Sequence, residues 1–208
     1  MQLLLLTFVA LLLLSVADVV EKATGHKFAS TLGFWSLAGV GVRIKQIGPI
    51  SAKVYAAGLY APKGAVAAKV KAAKCKSAAD VLAHMNKASL MSDGALVLKM
   101  ARDVKADTMA GALSDAIKPR MGGGDASGLE KLRKIIVDAL PAGCAKNSEL
   151  KFVCNGSGSV QVTINGRHRG DIQSMALSQA FLATYCDKSA VSASLRGDMA
   201  SNIWSWSK

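Results

Sequence analysis

The stretch GVGVRIKQIGPISAKVYAAGLYAP, residues 39–62, decides the reading of the fold. Two runs of β-branched and small apolar residues flank Gly48-Pro49, a turn dipeptide, so the segment reads as strand, turn, strand. A hairpin symmetric about residue 49 pairs Arg43 directly with Tyr55. Their Cβ atoms are then expected ~4.5–5.5 Å apart on one face. Gly41 and Ala57 share that face, while Val42, Ile44, Val54 and Ala56 collect on the other, the expected core face. The same register sets Lys45 against Lys53, an unfavourable pair that leaves room for a slip near the tip.

A planar fork of N–H donors beside a phenolic O–H suits a carboxylate or a phenolate, and small neighbours leave room for an apolar tail. Geometry alone leaves a second reading open, a solvent-facing Arg/Tyr pair with no ligand.

Outward from this hairpin the chain alternates helical and extended patterns. Ser77-x-x-Asp80 marks a helix start, with Val81, Leu82, Met85 and Ala88 as its apolar stripe. ALVLKMAR, residues 95–102, is a strand-like run. From Lys105 a second helix carries Met109, Ala112, Leu113, Ala116 and Ile117 on one face and ends near Pro119. MGGGDASG, residues 121–128, reads as a loop, because its glycines do not follow a strand in a phosphate-loop pattern. Ser127-x-x-Glu130 then predicts a third capped helix, with Leu129, Leu132, Ile136 and Leu140 facing inward. ELKFVCNGSGSVQVTINGRHRGDI, residues 149–172, holds two Asn-Gly turns, and the one after the alternating VQVTI is the strongest hairpin signature in the chain. Helices over about 174–186 and 193–205 close the protein. The plan is α+β, with a mainly antiparallel sheet and helices on one side.

The first 17 residues, MQLLLLTFVALLLLSVA, form a separate object. The apolar run is shorter than the ~20 residues a spanning helix needs, and Ser15-Val16-Ala17 supplies the small residues a signal peptidase reads. The segment reads as a secretory signal, leaving residues 18–208 as one domain. It lacks an N-terminal Lys or Arg, so an uncleaved anchor and a bipartite, plastid-directed leader are the alternatives.

In a secretory compartment Cys75, Cys144, Cys154 and Cys186 can pair in three ways, or stay as buried thiols. The Asn155-Gly156-Ser157 sequon has meaning only in that same compartment. No CxxC occurs and no His stands at ligand spacing, so neither a metal nor a cofactor is expected; His26, His84 and His168 receive no role. The net charge of +12 attracts anions such as an anionic membrane surface, and no nucleic-acid motif accompanies the lysines.

The residue 39–62 stretch resembles the first-hairpin signature of the chalcone isomerase-like superfamily. ATGHKFASTL, residues 23–32, is similar to its lead-in. Residues 159–199, SVQVTINGRHRGDIQSMALSQAFLATYCDKSAVSASLRGDM, resemble its closing hairpin and paired helices. The resemblance covers most of residues 22–200 and implies an open-faced β-sandwich, a large antiparallel sheet under a layer of helices around a cleft. Members include true isomerases that cyclise a chalcone to a flavanone, fatty-acid-binding relatives, and proteins without an established activity.

Arg43 matches the family Arg. Gly58-x-Tyr60 fixes the alignment and places Tyr55 where the isomerases have Thr and the fatty-acid binders have Tyr. The isomerases also use a Tyr and an Asn on a following helix, but residues 98–124 contain neither. Ser178 falls close to the column of the penultimate helix that shapes ligand specificity. The resemblance therefore implies Arg43, Tyr55 and Ser178 as ligand-binding residues for a fatty acid or similar hydrophobic carboxylate. The helices over 105–140 and 174–186 would line its channel. The alternatives are an intramolecular lyase acting on chalcone-like substrates and a structural or interaction protein on the same fold.

Overall fold

The computed structural model describes residues 17–85, 90–123 and 126–208. The expected leader, apart from Ala17, lies outside the described residues, as does Ala88.

The long hairpin is the spine of the fold. Its strands are β4 (Trp35–Ile47) and β5 (Ile50–Ala61). They follow β1 (Asp18–Val20), β2 (Lys27–Ala29) and β3 (Thr31–Leu32), short strands in a segment whose sequence showed only scattered Gly and Thr. After the hairpin come α1 (Lys63–Ala72), α2 (Ala78–Met85), β6 (Gly94–Met100) and α3 (Ala106–Ile117), the last extended by a 3-10 turn, Lys118–Arg120. Then follow α4 (Ala126–Ala139), β7 (Glu149–Cys154), β8 (Ser159–Ile164), β9 (Arg167–Gln173), α5 (Met175–Cys186) and α6 (Ala193–Trp206). Strands β3 to β9 form one open sheet in chain order with every neighbour antiparallel, and β1 and β2 form a separate pair.

The helices pack on one face of the large sheet. There Leu59, Leu96, Leu98, Phe152, Val162 and Ile164 meet Met109, Leu132, Ile136, Phe181 and Met199 in the main core. The opposite face carries a smaller cluster of Ala56, Tyr60, Ala95 and Val97 under Phe28 of β2. Phe28 lies so close to Gly58 that an added Cβ would stand 2.5 Å from its ring. A side chain here would force the buried Phe28 ring to shift.

Arg43 pairs with Tyr55, as symmetry about residue 49 requires, but the tip does not keep that register. Ile47 pairs with Ile50 across a two-residue turn, Lys45 pairs with Ala52, and Ile44 pairs with Lys53. Val54 is the extra residue that reconciles the two registers. The expected Lys45–Lys53 apposition is thus avoided. Gly48 has φ 58° and precedes proline with its fixed negative φ, the sign pattern of a type II′ turn, which matches strand twist.

The expected core face needs correction as well. Ala56 and Val42 are buried, but Ile44 is 45% exposed, and the larger core lies on the Tyr55 face. The hairpin is covered on both sides near its base and bare at its tip.

Helix α6 treats the outer edge of β4 as another strand would. The backbone N–H of Val40 donates to Asp198 Oδ2 (2.8 Å) and that of Val42 to Ser194 Oγ (3.1 Å). Ser192 Oγ donates to the Val42 carbonyl at 2.9 Å. The edge is thereby closed by side chains. Such proximity demands Gly39 and Gly41, since a Cβ at Gly39 would lie 2.7 Å from the Met199 nitrogen, and one at Gly41 would collide with the Leu195 backbone.

Several local expectations shift. Ser77 does cap α2, accepting from the Asp80 N–H at 3.1 Å. Ser127, by contrast, sits inside the first turn of α4, which begins at Ala126. The basic run at residues 67–76 falls largely within α1, a helix without a strong apolar stripe in which Val66 and Val70 alone are buried. Asn165 (φ 50°) and Gly166 (φ 74°) form the expected tight turn between β8 and β9. All four cysteines are unpaired thiols, Cys144 and Cys154 fully buried.

Candidate ligand cavity at the β4–β5 hairpin

Beside the outer half of the hairpin lies a cavity of about 650 Å³. This is within the ~300–1,000 Å³ range of small-molecule sites. One wall is the hairpin, through Arg43, Lys45, Ile47, Val54 and Tyr55. Helix α3 forms another, through Thr108, Met109, Ala112, Leu113 and Ala116, a face spaced three and four residues apart. Residues 102–105, Asp115, Arg120 and the loop 189–191 complete it. Ala112 is solvent-exposed and Ala116 half-buried, so part of the apolar stripe read as core is cavity wall.

Arg43 is half-buried, and its Nη1 donates to the Val191 carbonyl at 2.7 Å. Arginine carries five N–H donors, so this bond orients the guanidinium and leaves donors for a ligand. No carboxylate forms an ion pair with it among the described residues.

The Val191 loop is itself held. Arg120 forms a two-pronged pair with Asp187, Nε to Oδ2 at 2.7 Å and Nη2 to Oδ1 at 2.8 Å, and also donates to the Ser189 and Ala116 carbonyls. These hydrogen bonds from Arg120 hold the Asp187 carboxyl below its ordinary range. Arg120 thus positions the loop, and the loop positions Arg43.

Tyr55 is 6% exposed, and its hydroxyl lies 3.0 Å from that of Tyr185 on α5. Burial raises both phenols above their ordinary pKa, Tyr185 the further, and the nearby Arg43 charge offsets this only in part. Both are therefore neutral O–H donors at physiological pH. Tyr185 is fully buried and stands behind Tyr55 rather than at the cavity wall. A buried donor takes the partner it has. Either hydroxyl can donate in this pair, and with Tyr185 as donor the Tyr55 proton is left for the cavity. Chemically the arrangement offers a fixed cation and a neutral donor at one end of an apolar space.

The sequence-read residues separate here. Arg43 and Tyr55 meet at the cavity. Ser178 is elsewhere: its hydroxyl donates to the Asn155 carbonyl at 3.0 Å in the β7–β8 turn, and it does not line the cavity. Tyr185, two helical turns further along α5, is the residue of that helix that reaches the Arg43–Tyr55 pair. Nothing local in the sequence marked it, because its partner lies 130 residues away. Neither α4 nor the 174–186 helix contributes cavity lining, contrary to the expected channel; α3 carries that role. No group of three or more potential metal ligands clusters among the described residues.

A search of curated protein sequences finds no match. Among solved structures, the crystal structure of a fatty-acid binding protein from Arabidopsis thaliana superposes with a TM-score of 0.77. The match covers 92% of this chain and 99% of that one at 23% identity, a likeness of fold. Residues 30–200 match the sequence profile described as chalcone isomerase-like, which spans the hairpin, the cavity and both closing helices. The chain belongs to the chalcone isomerase-like family.

Proposed function

We propose that the protein is a non-catalytic binder of a fatty acid or a similar hydrophobic carboxylate, held by Arg43 and Tyr55. The observation that carries this reading is a guanidinium with unused donors beside a neutral phenol at the wall of a cavity that has an apolar side of Val54, Met109, Ala112, Leu113 and Ala116 and a charged rim that includes Lys45, Arg102, Lys105 and Arg120 as well as Asp103 and Asp115. The carboxylate satisfies Arg43 and Tyr55, and the acyl chain runs along the exposed and half-buried alanines of α3. Binding asks for charge, two donors and an apolar wall, all of which are in place. Cyclisation of a chalcone asks in addition for a polarised carbonyl, and the α3 face offers neither Tyr nor Asn. The same fold in a protein described as fatty-acid binding supports the reading.

The test is organic-solvent extraction of the purified full chain, with mass spectrometry of the extract. Fatty acids are expected from wild type and depleted in Arg43→Ala; equal amounts from both contradict the anchor. Flavanone formation from a chalcone above the spontaneous rate, lost in Arg43→Ala, would replace binding by catalysis. The N-terminal segment is read as a signal for the secretory route. A mature protein whose sequence starts at Asp18 supports that reading, and one retaining Met1 does not.

A further inference from the structure

The outer part of the β4–β5 hairpin is an overhang. Pairing of β5 with β6 ends at Tyr55–Met100, so residues 44–54 continue as a two-stranded ribbon beyond the rest of the sheet. On this ribbon Ile44 is 45% exposed, Ile47 53% and Ile50 66%. These are three of the seven large hydrophobic residues that are exposed among the described residues, gathered within seven positions. Single exposed apolar residues are ordinary; a cluster on a projecting tip is not.

Ile47 and Ile50 face each other beside the turn, on the cavity side, and Ile44 points to the opposite side. An apolar wedge of this kind suits insertion more than packing of one flat face against another protein. Cations stand just behind it. Lys45 is two residues from Ile47, about 7 Å back along the strand. Lys53 is on the same ribbon, and the exposed Arg102 and Lys105 stand across the cavity mouth. No Asp or Glu occurs between Glu21 and Asp80, so the ribbon itself carries cations alone; across the cavity the exposed Asp103 stands between Arg102 and Lys105 and accepts the Lys146 N–H. Apolar tips with cations a few ångströms behind match the acyl boundary and the anionic headgroups of a lipid leaflet in depth and in charge.

We propose that this hairpin tip docks on an anionic lipid bilayer, inserting Ile44, Ile47 and Ile50 and seating Lys45, Arg102 and Lys105 among the headgroups. Because Ile47 and Lys45 also line the cavity, docking turns the cavity mouth toward the leaflet. A role in collecting or delivering the ligand rests on the fatty-acid reading above; the docking itself does not.

The test uses the full chain and vesicles of phosphatidylcholine alone or mixed with phosphatidylserine. The variant is Ile44→Asp/Ile50→Asp, two exposed positions that do not line the cavity. Wild type is expected to co-sediment with the mixed vesicles, with slowed hydrogen exchange over residues 44–52. The double variant is expected to bind about tenfold more weakly or worse, with its fatty-acid content and melting temperature unchanged. Vesicle binding equal to wild type in the double variant, or exchange at the tip unaffected by vesicles, overturns the proposal. Binding that needs phosphatidylserine but ignores the isoleucines marks a purely electrostatic patch and overturns it too. Extracts free of fatty acid would defeat the ligand reading and leave this result standing.

Discussion

Arg43 is oriented by a carbonyl and forms no ion pair with a carboxylate among the described residues, and that distinction is the ground for proposing it as a ligand group. A hydrogen bond to a charged partner contributes about 1.5–3 kcal/mol. Arg43→Ala is therefore expected to weaken a bound carboxylate about 10- to 100-fold, as read by calorimetric titration. Tyr55 adds a neutral donor, and here the pH dependence is specific. All three tyrosines of the chain are shifted upward: Tyr55 and Tyr185 by burial, and Tyr60, also by burial, to about 12. Absorbance titration of the native protein should show little tyrosinate at pH 10, where the unfolded chain is half ionised. Above that pH the unfolded state releases protons that the folded state keeps, so stability must fall as pH rises through 10 and beyond. Ordinary phenol titration in the native state would contradict the buried pair. At this scale Arg43 and Tyr55 were legible, since strand pairing and the family resemblance converge on them. Tyr185 and the Arg120–Asp187 clamp were not, because contacts between residues 67 or 130 positions apart leave no local pattern.

Among the elements, the decisive contact is α6 against β4. Gly41 has no room for a side chain because the Leu195 backbone occupies its Cβ position. Gly41→Ala should force helix and strand apart and cost about 1–3 kcal/mol or more, visible as a lower midpoint in chemical denaturation; a wild-type midpoint would mean that the contact is loose. The Arg120–Asp187 clamp makes a subtler prediction. Arg120→Ala removes one hold on the Val191 loop, leaving the Val191 N–H bond to the Thr184 carbonyl, and takes a cation from the cavity wall, so ligand affinity should fall although Arg43 itself is intact. Unchanged affinity would show that the loop holds its place without the clamp. The hairpin also shows how far pattern reading reaches. Its core half followed the expected register, whereas its tip slipped by one residue at Val54. The slip relieves the Lys45–Lys53 conflict that the sequence displayed, but a conflict does not say where the extra residue goes. Helix α1 escaped notice for a different reason: with Val66 and Val70 as its sole buried residues, it has no amphipathic period to find.

For the whole molecule, a mainly antiparallel sheet with helices on one side followed from turn signals and alternation, which are local and additive; the seven-strand order, with β3 at its edge, did not. The position of the cavity did not, because it depends on which helix covers which strand. The apolar stripe of α3 reads identically as core or as cavity wall, and only tertiary placement separates Ile117 from Ala112. The cysteines offer a global check of the packing. Burial raises Cys144 to about 11, and Cys154 and Cys186 to about 12; it raises Cys75 as well. With pKa values of 11–12 only ~10⁻³ to 10⁻⁴ of a thiol is thiolate at pH 8, and thiolate is the reactive form. Thiol reagents should thus act slowly on Cys144, Cys154 and Cys186 in the native protein and rapidly on four thiols after unfolding; fewer than four in the unfolded chain would reveal a disulfide.

The central claim is that the cavity recognises a carboxylate through Arg43. Its most direct measurement is a titration of wild type and Arg43→Ala with a long-chain fatty acid and with the corresponding methyl ester, which keeps the tail and removes the charge. Wild type is expected to prefer the acid about 10- to 100-fold, and Arg43→Ala to bind acid and ester alike. Equal binding of acid and ester by wild type, or a preference that survives in Arg43→Ala, would contradict it.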